Sequence, residues 1–208
     1  MLILAGLCNP GADYAETRHN LGAMVTRACA EHWGFSSSRR RFQSHCREGT
    51  VTLPTGGSIR ALILEPQTFY NESGRAVAEA VSFYRLGPSA VTVFHDDIDL
   101  APGRLRVKTG GGAAGNNGVR SLIAHLGPDF RRVRLGVGHP GQKEAVMSHV
   151  LAPFAKGDRP WVADLLDACA QALPWLVSGD DERYQAEVMR LAPAEKRDPR
   201  GSDRSAEG

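Results

Sequence analysis

An imidazole, a carboxylate and several side-chain amides are spread along this chain at positions that suit hydrolysis by an activated water. Asn9-Pro10-Gly11 follows a short apolar run and is itself followed by His19-Asn20. His95-Asp96-Asp97-Ile98-Asp99 closes a second apolar run, and His139-Pro140-Gly141 closes a third. Asn71 and Asn117 stand where helical patterns begin. A histidine titrating near pH 6.5 can take a proton from water under neutral conditions, and a paired carboxylate fixes its tautomer. Amide N–H groups can donate to a carbonyl oxygen as negative charge develops on it. His19 at a helix start feels the positive dipole end, which favours the neutral ring, while a carboxylate favours the cation. The sequence leaves that balance open.

Competing chemistries are weaker. His95, Asp96, Asp97 and Asp99 could ligate a hard cation, but a second acidic cluster is missing, so no metal is expected. Cys8 stands beside Asn9 as a rival nucleophile, yet it continues an apolar run, and a small buried cysteine is the commoner state. Gly110 to Gly118 could cradle a phosphate at a helix start. It has neither the phosphate-loop lysine nor a dinucleotide fingerprint after the first strand, so no nucleotide cofactor is expected. His139 reads as a turn residue. Singly, each polar residue has an ordinary structural role: Asn9 in a turn, Asn71 and Asn117 as helix caps, His19 as a surface group.

The elements that would carry these residues alternate. Leu2 to Leu7 reads as a buried strand, stopped by Pro10 and Gly11. Apolar residues at Leu21, Met24, Val25 and Ala28 predict a helix over 20–33 with Thr17 as its N-cap. The Arg39-Arg40-Arg41 triplet falls in a loop. Phe42 to Leu53 and Ser58 to Glu65 read as a hairpin around Pro54-Thr55-Gly56-Gly57. Ala61 to Leu64 is continuously apolar, as in a strand buried on both faces. Further strands are predicted at 91–94, 105–108 and 133–137, and further helices through 76–84, 118–126, 158–177 and 180–191. Gly87-Pro88 closes the first of these helices, and Pro174 is expected to perturb the last turn of the third. This order predicts an α/β protein, one domain over residues 1–191 with a mixed, twisted β-sheet flanked by helices. The polar, aperiodic stretch 192–208 reads as a disordered tail.

The 208 residues carry a net charge of +2 and 42% hydrophobic residues, enough for a large core and too balanced to announce a nucleic-acid binder. Local clusters say more: Arg39 to Arg41 with Arg47, Arg104-Arg106-Lys108 with Arg120, and Arg131-Arg132-Arg134. On one face they would suit a polyanion. The four cysteines show no paired or metal-type spacing, which predicts free thiols in a reducing cytoplasm. No run approaches a transmembrane span or a secretory signal.

Four blocks in this order resemble bacterial-type peptidyl-tRNA hydrolases: GLCNPGADYAETRHNLG, PQTFYNESGRAV, VFHDDIDLAPGRLRVKTGGGAAGNNG and RVRLGVGHPG. Together they cover roughly residues 2 to 150. The resemblance implies an esterase that frees peptide from tRNA without a metal or cofactor. It implies that His19 is the general base on water and Asp96 its carboxylate partner. It implies that Asn9, Asn71 and Asn117 line the site and that Tyr14 lies near the acceptor end of the tRNA. Tyr70, next to Asn71, is grouped with the residues that bind substrate. A cytoplasmic monomer acting on peptidyl-tRNA, with no membrane partner, is expected.

The chain departs from the family pattern in ways that mark a divergent member. Where the pattern is close to GGGHGGHNG, Ala113 and Asn116 replace histidines. Where it is FMNLSG, Tyr70 and Glu72 replace apolar residues, and Cys8 replaces a Gly or Ala. These changes keep a second reading in play, an RNA-binding paralogue with little or no hydrolysis. A metal-dependent hydrolase built on Asp96 to Asp99 ranks third.

Overall fold

Leu2–Gly6 forms strand β1, the axis of the sheet. The remaining strands are β2 (Arg39–Arg41), β3 (Ser44–Thr52), β4 (Ser58–Pro66), β5 (Val91–Asp97), β6 (Leu105–Thr109) and β7 (Arg131–Gly136). The computed structural model describes residues 1–194 and orders these strands β2-β3-β4-β1-β5-β7-β6. β4, β1, β5 and β7 run parallel, so their carboxyl ends share one edge. β3 pairs antiparallel with β4, β2 with β3, and β6 with β7. A single α/β domain with a mixed sheet is therefore what the sequence specifies. The tail expected over 192–208 lies, beyond Ala194, outside the described residues.

The helices are α1 (Leu21–His32), α2 (Ser73–Tyr84), α3 (Asn117–Leu126), α4 (Val146–Leu151), α5 (Arg159–Ser178) and α6 (Asp181–Leu191). Strand side chains alternate between two cores, because successive Cβ atoms point to opposite faces. Ile3, Ala5, Leu62, Leu64, Val91 and Val93 pack with α2 and α3. Leu4, Ala61, Ile63, Phe94, Val133 and Leu135 pack with α1, α5 and α6. The run Ala61 to Leu64 is thus buried on both faces, as its continuous hydrophobicity predicts. Among the described residues no helix is long and apolar enough to cross a membrane.

Three local expectations are corrected. The Arg39-Arg40-Arg41 triplet is strand β2, paired with Ser44 to Cys46 across a two-residue turn at Phe42-Gln43. Both turn residues have positive φ, 51° and 49°, the conformation such hairpins need and one that Asn-Gly would have signalled. Thr17 precedes the turn 18–20, but its hydroxyl donates backwards to the Tyr14 carbonyl at 2.8 Å instead of capping. α5 continues through Pro174 to Ser178. Pro174 cannot donate to the carbonyl four residues earlier, and Trp33 Nε1–H supplies the missing donor to Ala170 O at 2.8 Å.

Candidate active site

The polar residues singled out from sequence gather where β1, β4 and β5 end. After β1 the chain turns at Asn9 to Gly11 and enters a 3-10 turn, Arg18–Asn20, that runs directly into α1. This turn is held from two sides. Arg18 ion-pairs with Asp158 at 3.1 Å and donates to the Pro153 carbonyl, so the segment after α4 buttresses His19. Gly22 lets α1 lie directly on the sheet, since a Cβ there would collide with the Phe94 carbonyl. Asn9 and Asn20 lock the two sides of the loop together. The Asn9 N–H donates to Asn20 Oδ1 at 2.8 Å, and Asn20 Nδ2 donates to Asn9 O at 2.9 Å.

Asp96 lies at the end of β5 with 3% of its surface exposed. His19 Nδ1 stands 3.0 Å from both of its carboxylate oxygens. The Tyr70 hydroxyl donates to Asp96 Oδ1 at 2.7 Å, and the Tyr70 ring stacks on the His19 ring. Burial opposes a charge on Asp96, but the facing His19 and the bonds from His19 and Tyr70 outweigh it, holding the carboxyl below its ordinary value. An ionised Asp96 only accepts, so His19 Nδ1 carries the proton and Nε2 keeps its lone pair. That is the tautomer a general base requires.

The amides are oriented by the same accounting. The Tyr70 N–H donates to Asn9 Oδ1 at 2.9 Å, leaving the Asn9 NH₂ group as the end offered to the cleft. Asn116 caps α3: its Oδ1 accepts from the Val119 N–H at 3.0 Å, which turns Nδ2 towards the Tyr70 hydroxyl at 3.1 Å. Two clefts meet at His19. One, of about 400 Å³, is bordered by Asp96, Asn116 and His139 and by apolar Ile98, Val146 and Val150. The other, of about 630 Å³, is bordered by Asn9, Asn71, Asn117 and Arg120. Exposed Met147 borders both.

His19, Asp96, Asn9 and Tyr70 therefore converge, and Asn71 and Asn117 join them on the rim as exposed side chains. Tyr14 borders neither cleft; it sits in the turn Ala12–Tyr14, half-buried. His139 serves its own turn, accepting from the Gly141 N–H at 2.9 Å, and also lines the smaller cleft. Asp97 also borders the smaller cleft, but its carboxylate is taken up by Arg134 at 2.6 Å and by the Asp99 N–H. No group of three His, Cys, Asp or Glu able to hold a metal occurs among the described residues. Cys8 is buried, and burial followed by the Glu65 charge pushes its thiol up to about 12, which leaves it a packing residue. Arg131, Arg132 and Arg134 do not form an anion-binding face. Arg131 meets Asp181, Arg134 meets Asp97, and buried Arg132 donates to the Gly111 and Gly112 carbonyls, shaping the glycine loop.

Sequence reasoning missed the part played by Asn20, Asn116 and His95. Asn116 reads as a lost histidine, whereas the Asn-Asn-Gly start of an apolar helix is a cap signal that fits its observed position. His95 donates from Nδ1 to the Asp96 carbonyl at 2.7 Å, and its buried Nε2 has no hydrogen-bond partner among the described residues.

Comparison with known proteins places the chain in a family and matches its fold. The family model described as peptidyl-tRNA hydrolase matches residues 3–197. The chain belongs to the peptidyl-tRNA hydrolase family. A peptidyl-tRNA hydrolase of Phenylobacterium zucineum is 62% identical over 200 residues, covering 96% of this chain and 95% of that one. One of Hyphomonas neptunium is 56% identical over 207 residues and covers 100% of both chains. The crystal structure of peptidyl-tRNA hydrolase from Acinetobacter baumannii superposes with a TM-score of 0.81 at 34% identity, covering 90% of this chain and 94% of that one. The α/β fold read from the sequence is thus the family's fold.

Proposed function

We propose that this protein hydrolyses the ester bond joining a peptide, or an N-blocked amino acid, to tRNA. It acts as a cytoplasmic monomer without a cofactor and so returns tRNA to translation. The observation that carries the mechanism is the His19 Nδ1 contact with both Asp96 oxygens, which leaves Nε2 basic and facing the clefts. A water held at Nε2 attacks the ester carbonyl carbon and gives its proton to His19. Asn9 Nδ2 donates to the carbonyl oxygen as charge develops there. The bond from carbonyl carbon to ribose oxygen then breaks, and the leaving ribose oxygen takes the proton back from His19. Asn71 and Asn117, as neutral amides on the rim, hold the peptide or the tRNA end without repelling phosphate. Tyr14, outside both clefts, contacts the tRNA away from the reacting ester.

The buried, fully bonded Asp96 favours turnover over a binding-only scaffold, since an ionised buried carboxylate is costly to keep without use for its charge. The test is release of tRNA from N-acetylaminoacyl-tRNA by the parent and by His19→Ala. The parent is expected to cleave it and to spare aminoacyl-tRNA with a free amino group. The variant is expected to lose about 10²- to 10⁴-fold in kcat while still binding RNA. Binding without cleavage by the parent would leave only the RNA-binding reading.

A further inference from the structure

Tyr70 has no part in that scheme, yet it touches both members of the pair. Its ring lies over the His19 ring, with centroids 3.5 Å and planes 14° apart. It borders the larger cleft, but only 3% of it is exposed, which leaves little surface for a substrate. Its hydroxyl sits between Asp96 and Asn116. Because the cap bond turns Asn116 Nδ2 towards Tyr70, the hydroxyl accepts there and must donate to Asp96. One directional chain therefore runs from the start of α3 through Asn116 and Tyr70 to Asp96, where it meets His19.

We propose that Tyr70 is a positioning residue which, with Asn116, holds the His19–Asp96 pair in its basic tautomer and sets the pH at which the pair works. The proposal rests on His19 being the base. A donor on Asp96 draws charge from the oxygen that faces His19, so the carboxylate holds an imidazolium less firmly. Without that donor the pair holds a proton to higher pH, because the Tyr70 bond is one of the contacts that keep the Asp96 carboxyl low. The other charged or titratable groups around the pair are few. On β5, burial holds the His95 pKa below its ordinary value, and Asp97 is paired with Arg134. His139 and Lys143 face His19 across the smaller cleft, and Arg120 and His125 across the larger. None of them reaches the Asp96 carboxylate by a hydrogen bond, so the hydroxyl is the group whose loss it registers most directly.

Tyr70→Phe keeps the stacked ring and removes the hydroxyl. Expected are a kcat lowered about 3- to 10-fold, a KM changed less than about 2-fold, and an acid limb of kcat/KM moved up by roughly half a pH unit. Asn116→Ser keeps a capping oxygen for the Val119 N–H but removes the amide donor. It should move the limb the same way by less, and the double variant should be no worse than Tyr70→Phe alone. An unchanged limb with unchanged kcat overturns the proposal. So does a raised KM alone, which would make Tyr70 a substrate contact. If circular dichroism shows Tyr70→Phe unfolded, Asn116→Ser decides by the same profile. His19→Ala separates the two readings: activity in that variant removes the base itself. An inactive His19→Ala beside an unchanged Tyr70→Phe removes only the role of Tyr70.

Discussion

Gly118 at the start of α3 lies against the Tyr70 ring so closely that a Cβ on it would stand 2.5 Å from Tyr70 Cε1 and 2.8 Å from Leu7 Cδ1. A helix terminus, a strand end and the ring that covers His19 are thus packed with no room for one methyl group.

Gly118→Ala should therefore act on catalysis through packing. The ring can yield only by leaving its stack on His19, and Leu7 belongs to a full core. Overpacking of this kind costs about 1–3 kcal/mol. We expect that loss in a urea melt, together with a kcat drop of about 10-fold as the dyad loses its support. A variant as active and as stable as the parent would mean that the loop before α3 moves freely.

Asp96→Asn should be more damaging than its size suggests. The Tyr70 hydroxyl donates to Oδ1, so an asparagine would settle with its oxygen there and its NH₂ in the place of Oδ2, against His19 Nδ1. An N–H facing Nδ1 forces the imidazole proton onto Nε2, where it blocks the base. The expected result is a kcat lower by about 10²- to 10⁴-fold with KM little changed. Steady-state kinetics at saturating substrate distinguishes this from a binding defect.

Stability should fall on the acid side in two stages. Burial lowers the pKa of His95 from 6.5, so below pH 6.5 the unfolded chain takes up a proton that the folded one refuses. Stability is then complete above pH 6.5 and declines as pH falls towards the depressed folded value. Asp96 behaves alike at lower pH. Its folded pKa lies below 3.8, so its contribution is complete above 3.8 and is lost as pH falls through the folded value. Urea midpoints measured from pH 8 to 3 should show both declines, and His95→Asn should remove the first. A flat profile between pH 6.5 and 5 would refute the assignment to His95.

Much of the site is legible in the sequence because it hangs on strand ends, and strands announce themselves by apolar runs. Asn9, His19, Asp96, Asn71 and Asn117 could be named from such positions and from the motif blocks. Asn116 could not, since two adjacent asparagines leave open which one caps, and only its bonds to Val119 and Tyr70 decide. Strand β2 was hidden by a turn made of Phe42 and Gln43, residues that seldom take positive φ. The Arg131-Arg132-Arg134 cluster misleads for a different reason. Its partners Asp97 and Asp181 lie 37 and 50 residues away along the chain, and spacing says nothing of such pairs.

The arginines on either side of the β6–β7 pair should accordingly answer mutation in opposite ways. Leu105 and Val107 of β6 face inwards, while Arg104 just before it, Arg106 and Lys108 are exposed at the edge of the sheet. Replacing Arg106 with Gln should leave the melting temperature unchanged, raise KM for a tRNA substrate, and reduce the slope of log KM against log salt by about 0.7–0.9 if one phosphate contact is lost. Arg132, 4% exposed and bonded to the Gly111 and Gly112 carbonyls, should behave as a structural clamp. Arg132→Gln leaves those carbonyls without their donor and should cost about 1–3 kcal/mol in a urea melt with the salt slope unchanged. If both variants lost salt dependence and neither lost stability, Arg132 would have to be exposed to RNA in solution, contrary to its burial here.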